Sequence, residues 1–150
     1  MNLIINKTEK LSGEIEIPSS KSHTIRAIVI ASLANGASKI INPLFSEDTK
    51  AAINGCKALG AKIRQEKNVI VVEGFNGKPK EPKEKLDMLN SGTSINLLTS
   101  VAALGNFKVI LDGDSSLRKR PVLPLLDALN NLGAIAKSIN NNGCQPIEVK

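Results

Sequence analysis

An α/β (α+β) fold made of two copies of one βαβαββ unit is what this 150-residue sequence predicts, and three observations predict it. The same order of segments is written twice, across residues 14–74 and again across 84–150. The tripeptide Leu-Gly-Ala falls at matching places in the copies, at Leu59-Gly60-Ala61 and Leu132-Gly133-Ala134. Each copy also joins one helix that is apolar nearly all round to one that carries a polar face.

Taken in order, residues 1–13 are expected to form an N-terminal strand and crossover, and 14–17 the leading strand of the first unit. Ser19-Ser20-Lys21-Ser22 opens a helix over 24–34, which Asn35-Gly36 stops. A strand over 38–41 precedes a helix over about 46–59. Ser46, Asp48 and Thr49 suit its start, and Gly60 suits a C-terminal position needing positive φ. Strands over 62–65 and 69–73 end the unit. A Lys/Pro/Gly-rich stretch, 74–83, links it to the second, which a strand over 85–87 leads. Asn90-Ser91-Gly92-Thr93 opens a helix through 104, Gly105-Asn106 ends it, and a strand over 107–111 follows. The next helix spans about 121–132 and is closed by Gly133. Pro121 fits its first turn, while Pro124 fits less well and blurs the start by a few residues. The last strands cover 135–139 and 147–149.

The apolar helices are the informative ones. Ala27-Ile28-Val29-Ile30-Ala31 leaves no polar face, and Ile95, Leu97, Leu98, Val101, Ala102, Ala103 and Leu104 are almost as apolar. Such helices are expected to be buried on most sides. The other two carry Lys50, Asn54, Lys57, Asp127, Asn130 and Asn131, and are expected outside, shielding the first pair.

Composition narrows the classes. With no Trp, no Tyr and three Phe, the core must be aliphatic, and aromatic platforms for single-stranded nucleic acid are scarce. A net charge of +6 favours an anionic partner or describes a solvated Lys-rich surface. Cys56 and Cys144 lie in no CxxC or Cys/His pattern and His23 is the only histidine, so a zinc site is not expected. Two unpatterned cysteines read as free thiols in a reducing cytosol. The opening residues lack the apolar region of a signal peptide, and the longest apolar run, 27–34, is too short to span a bilayer. A cytoplasmic protein without membrane or nucleic-acid partners is the expectation.

Three stretches carry candidate chemistry. A buried helix beginning Ser-Lys-Ser has free N–H groups and positive partial charge at its start, and Lys21 adds a full charge. Ser22 and Arg26, four residues apart, share a face. Together they suit phosphate or carboxylate, although capping explains the serines equally well. In the second unit, Gly92 lets a ligand approach the backbone, and Ser91 and Thr93 supply hydroxyls; here too a capping turn is the simpler alternative. Finally, Arg118-Lys119-Arg120 stands just ahead of a helix, where cations are disfavoured. Either an anion binds there or the charges are solvated and screened. No nucleophilic triad, phosphate-binding Walker loop or spaced carboxylate pair is legible.

At Pro18-Ser19-Ser20-Lys21-Ser22-His23-Thr24-Ile25-Arg26 the chain resembles the P-x-S-K-S-x-[ST]-x-R signature of 5-enolpyruvylshikimate-3-phosphate synthases. Asn42-Pro43-Leu44 with Glu47-Asp48-Thr49, then Asn90-Ser91-Gly92-Thr93, then Asp112 through Pro121 agree in order and spacing, so the resemblance runs along essentially the whole chain. It implies the inverse α/β barrel of the enolpyruvyl transferases, two domains of three βαβαββ units each, of which this chain holds the first strands and two units. It also implies a cytoplasmic transferase of the shikimate pathway, in aromatic amino-acid biosynthesis. That enzyme moves the enolpyruvyl group of phosphoenolpyruvate to the 5-hydroxyl of shikimate 3-phosphate, by addition and elimination, without metal or organic cofactor.

By matched positions, Lys21 would be catalytic and meet both substrates. Ser22 and Arg26 would hold shikimate 3-phosphate, and Gly92 and Arg120 phosphoenolpyruvate. Asn90 and Thr93 would shape the loop, while Arg118 matches less securely. Asn96 departs from the Arg common in the family. Since the acidic proton-transfer residues lie in the family's remaining portion, the chain alone is expected to be inactive, to need that C-terminal portion as partner, and to expose apolar surface through which it dimerises. Two other readings fit less well: a non-catalytic anion-binding module, and the related UDP-N-acetylglucosamine enolpyruvyl transferases, whose reactive cysteine neither Cys56 nor Cys144 imitates.

Overall fold

The computed structural model describes residues 2–150. In the first unit, α1 (Lys21–Leu33), β1 (Ala37–Ile41), α2 (Glu47–Ala58), β2 (Lys62–Glu66) and β3 (Val69–Glu73) follow one another. The second runs β4 (Leu86–Asp87), α3 (Gly92–Ala102), β5 (Val109–Asp112), a 3-10 turn at Leu117–Lys119, α4 (Leu123–Asn131), β6 (Ala136–Ser138) and β7 (Ile147–Val149). The first sheet is antiparallel in the order β1-β3-β2. The second has the order β4-β5-β7-β6, in which only the β4–β5 pair is parallel. Superposing the orders, β1, β3 and β2 correspond to β5, β7 and β6, so the repeat read in the sequence is a repeat of sheet topology.

The matched Leu-Gly-Ala tripeptides end their helices alike. Leu59, Gly60 and Ala61 donate to the carbonyls of Gly55, Lys57 and Cys56; Leu132, Gly133 and Ala134 donate to those of Ala128, Asn130 and Leu129. Gly60 and Gly133 hold φ of 110° and 96°, which a side chain would strain. At the other end of α2 the cap is reciprocal: Ser46 Oγ accepts from Thr49 N–H, and Thr49 Oγ1 accepts from Ser46 N–H.

Helices α1, α2 and α3 pack on one another between the two sheets. Ile25, Ile28, Ile53, Ile95 and Leu98 are fully buried there, and all of these but Ile25 belong to one core cluster that reaches Leu111, Leu126 and Ile147 of the second sheet's layer. Contact between α2 and α3 is close at Gly55, where a Cβ would lie 2.3 Å from Leu98 Cδ1 and 3.0 Å from Met88 Cε.

Three expectations need correction. No strand forms over 2–13 or at 14–17; this segment is exposed, and no neighbouring strand offers it a ladder. In the second unit the same role is filled by β4, which pairs with β5, whereas β1 pairs only with β3. Helix α4 starts after Val122, so that Pro124, not Pro121, sits in its first turn, where a missing N–H costs nothing. Helix α1 is buried on most sides, in keeping with its apolar run, and keeps one open face at Ile30, which is 67% exposed and which no described residue covers. Helix α2 lies less outside than its polar residues suggest, burying Ala51, Ala52, Ile53, Gly55 and Cys56 between α1 and α3.

Candidate functional site

Three helix N-termini meet at one polar opening of about 430 Å³, lined by Lys21, Asp48, Asn90, Gly92, Thr93, Asn96 and Arg120. Lys21 is the first residue of α1, Asp48 the second of α2, and Gly92 and Thr93 the first two of α3. Both units contribute to its lining. Ser94 Oγ donates to the carbonyl of Asp48 at 3.1 Å and so ties the start of α3 to that of α2.

The caps explain where the serines go. Ser20 Oγ accepts from His23 N–H at 3.3 Å and Ser91 Oγ from Ser94 N–H at 3.2 Å, the same bond in each unit. Ser91 also donates to Ser94 Oγ at 2.7 Å and is buried, so its hydroxyl serves the helix, not the opening. The caps engage the third helical N–H, and the N–H groups of the first two residues have no intrahelical acceptor. At α1 and α3 those are Lys21–Ser22 and Gly92–Thr93, and no acidic residue lies in either first turn. Two dipoles and two cations bring positive potential to the opening, against which Asp48 sets one carboxylate.

Both cations are aimed by neighbours. Lys21 Nζ donates to Asp48 Oδ2 at 2.5 Å, with 48% of the Lys21 side chain still exposed. The Arg120 guanidinium donates to Asn90 Oδ1, beside Gly92. A Cβ at Gly92 would stand 3.0 Å from Arg120 Nη1, so a larger residue there would crowd the guanidinium.

Of the residues singled out in the sequence, Lys21, Asn90, Gly92, Thr93 and Arg120 are brought together. Ser22 and Arg26 do not line the opening; Arg26 is exposed further along α1. Arg118 points elsewhere. Its Nε and Nη2 reach Asp112 Oδ1 and Oδ2 at 2.8 and 2.5 Å, and Lys85 Nζ adds a third bond at 3.1 Å. The Arg118 hydrogen bonds hold the buried Asp112 carboxyl well below the usual carboxylate range, helped by the Gly113 N–H and Lys85. The basic run is thus divided: an internal carboxylate neutralises Arg118 and only Arg120 faces the opening. Sequence reasoning missed Asp48 as a site residue; its one signal was an acid in the first turn of a helix beside another helix bearing a lysine at its start. Asn96, the departure from the family pattern, lies on the rim, where no further cation is among the lining residues.

The thiols are free, as expected. Burial pushes Cys56 up to about 11. Among the described residues no group of three His, Cys, Asp or Glu could hold a metal ion, and no helix is long and apolar enough to cross a membrane.

The family model for EPSP synthase (3-phosphoshikimate 1-carboxyvinyltransferase) matches residues 5–150. The 3-phosphoshikimate 1-carboxyvinyltransferase of Acetivibrio thermocellus is 49% identical over 144 residues, covering 96% of this chain and 34% of the relative; that of Methanobrevibacter smithii is 46% identical over 151 residues, covering 100% and 34%. The chain therefore spans about a third of the length of these curated relatives. A solved EPSP synthase from Acinetobacter baumannii superposes with a TM-score of 0.86 at 28% identity, over 92% of this chain and 32% of that one. With the opening built from the stretches that carry the family pattern, and the match continuous from residue 5 to residue 150, this chain belongs to the EPSP synthase (3-phosphoshikimate 1-carboxyvinyltransferase) family.

Proposed function

We propose that these 150 residues supply one wall of an active site that transfers the enolpyruvyl group of phosphoenolpyruvate to the 5-hydroxyl of shikimate 3-phosphate, releasing phosphate. The observation that carries this reading is the meeting of Lys21 from the first unit with Gly92 and Arg120 from the second at one opening. Both substrates are polyanions, and preorganised cations and helix N-termini stabilise such charge without reorganising during reaction.

In this reading Lys21 meets both substrates and steadies charge at the reacting carbon. An incoming anion competes with Asp48 for its ammonium group, so the ion pair holds the lysine in place until substrate arrives. Arg120 pairs with the phosphate or carboxylate of phosphoenolpyruvate, Gly92 offers its N–H, and Asn90 and Thr93 shape that edge. Ser22 and Arg26, on the same helix beyond the opening, hold the shikimate moiety where it extends along α1. Asp48 is the one acid lining the opening and is occupied by Lys21. Proton transfer therefore falls to residues outside these 150, and the chain alone binds without turnover.

Mixing the chain with the separately produced remaining two-thirds of a family enzyme, and assaying phosphate release from phosphoenolpyruvate and shikimate 3-phosphate, tests the proposal. Release that requires both pieces and vanishes with Lys21→Ala is expected. Binding of either substrate with no release from a folded mixture would leave the chain an anion-binding module.

A further inference from the structure

We propose that Gln145, in the loop between β6 and β7, is a positioning residue for Arg120, resting on the reading of the opening as an anion site. Gln145 is 3% exposed, a burial unusual for a glutamine, and it touches none of the opening itself. With its amide nitrogen turned inward it donates to the carbonyls of Leu117 at 2.7 Å and Arg120 at 3.0 Å; the opposite orientation would set its oxygen against those same carbonyls. The two carbonyls bracket the 3-10 turn whose last bond runs from Arg120 N–H to Leu117 O at 2.9 Å. One buried amide thus staples the turn at both ends.

The loop that carries Gln145 is itself held. Ser138 Oγ lies 2.9 Å from Asn142 Oδ1 and 2.6 Å from Cys144 O, Cys144 N–H donates to Asn142 Oδ1 at 3.0 Å, and Val122 N–H donates to Gly143 O at 2.8 Å. On the far side of the turn, Asp114 Oδ1 accepts from the N–H groups of Ser116 and Leu117 at 2.9 and 2.8 Å, and Asp112 grips Arg118. A continuous line of support runs from the β6–β7 pair through Gln145 to the Arg120 backbone, and from its guanidinium to Asn90 at the start of α3. A long exposed arginine is only as well aimed as its backbone.

Gln145→Met keeps length and loses the donors. Phosphoenolpyruvate titrated into the 150-residue chain should bind this variant about tenfold more weakly, the size of a lost hydrogen-bond network. In an Arg120→Ala background the same substitution should cost nothing further, while in a Lys21→Ala background its full cost should remain. Losses that add in full to that of Arg120→Ala would make Gln145 merely structural and overturn the inference.

A ligand-free reading separates this from the anion-site proposal. The side-chain Nε–H resonance of Arg120 should be distinct in the wild type and collapse toward free-arginine values in Gln145→Met. Collapse in a chain that binds no phosphoenolpyruvate upholds the positioning role and sinks the anion site; an unchanged resonance sinks the positioning role even where the ligand binds. Should Gln145→Met not fold, Gln145→Glu gives the same test. Its ionised carboxylate has no donor, so the Arg120 resonance should recover as acid protonates it, and a pH-independent resonance would contradict the proposal.

Discussion

Lys21 is half-exposed and bonds only one carboxylate at the surface, an arrangement worth about 1 kcal/mol or less to the fold. Lys21→Ala should accordingly keep its melting temperature within a few degrees yet lose anion affinity about tenfold or more, since charge-assisted bonds are the strong ones. Calorimetric titration beside a thermal melt checks both halves, and an unfolded variant would refute the division. Asp112 behaves oppositely, being buried under Arg118 and Lys85. Its folded pKa is depressed, so its stabilisation is fully present above the unfolded value near 4 and is lost as pH falls below it. Urea midpoints should be flat from about pH 7 to 5 and fall below about pH 4, and Asp112→Asn should cost about 2 kcal/mol at neutral pH and flatten the acid limb. Lys21, Gly92 and Thr93 were legible in the sequence because charge and backbone freedom at helix starts are local features, whereas Asn90 and the choice of Arg120 within its basic run came from the family resemblance. The partners that aim them were not. The Asp48–Lys21 contact spans 27 residues and the Asn90–Arg120 contact 30, and only tertiary packing sets such pairings.

At the scale of elements, the approach of α2 to α3 depends on Gly55. Gly55→Ala would gain about 1 kcal/mol of helix propensity but drive a methyl into the fully buried Leu98, so a net loss of about 1–2 kcal/mol is expected by denaturant unfolding. A gain in stability would mean that the helices separate freely. Helix ends were readable from Ser46, Gly60 and Gly133, because capping and positive φ are chosen by single residues, while α1 starts at Lys21 under the Ser20 cap, three residues ahead of the expected 24. The segment at 14–17 was misread as a strand because alternating Glu and Ile describe a face, not a partner, and no strand lies beside it to complete the ladder. The start of α4 was misplaced because two prolines three residues apart both satisfy a helix N-terminus by local rules. Val122, which is buried and donates to Gly143 O, decides between them.

For the whole molecule, the repeat was visible in sequence order, but its consequence, two helix starts from different units facing one opening, required the packing of α1 and α3 on α2. The same packing leaves apolar surface open: Ile30, Leu104, Leu132 and Ile135 are each more than half exposed, as are Leu3, Ile4, Ile5, Leu11, Ile15 and Ile17 ahead of α1. The chain alone should therefore self-associate, with light scattering showing dimers or larger species at micromolar concentration, whereas a monomer that binds no hydrophobic dye would contradict this. The convergent anion site is tested most directly by titrating shikimate 3-phosphate and phosphoenolpyruvate into the isotope-labelled chain and following its backbone amides by NMR. Saturable shifts centred on Lys21, Ser22, Gly92, Thr93 and Arg120 are predicted; no saturable shift, or shifts confined to the lysine-rich stretch between β3 and β4, would contradict it.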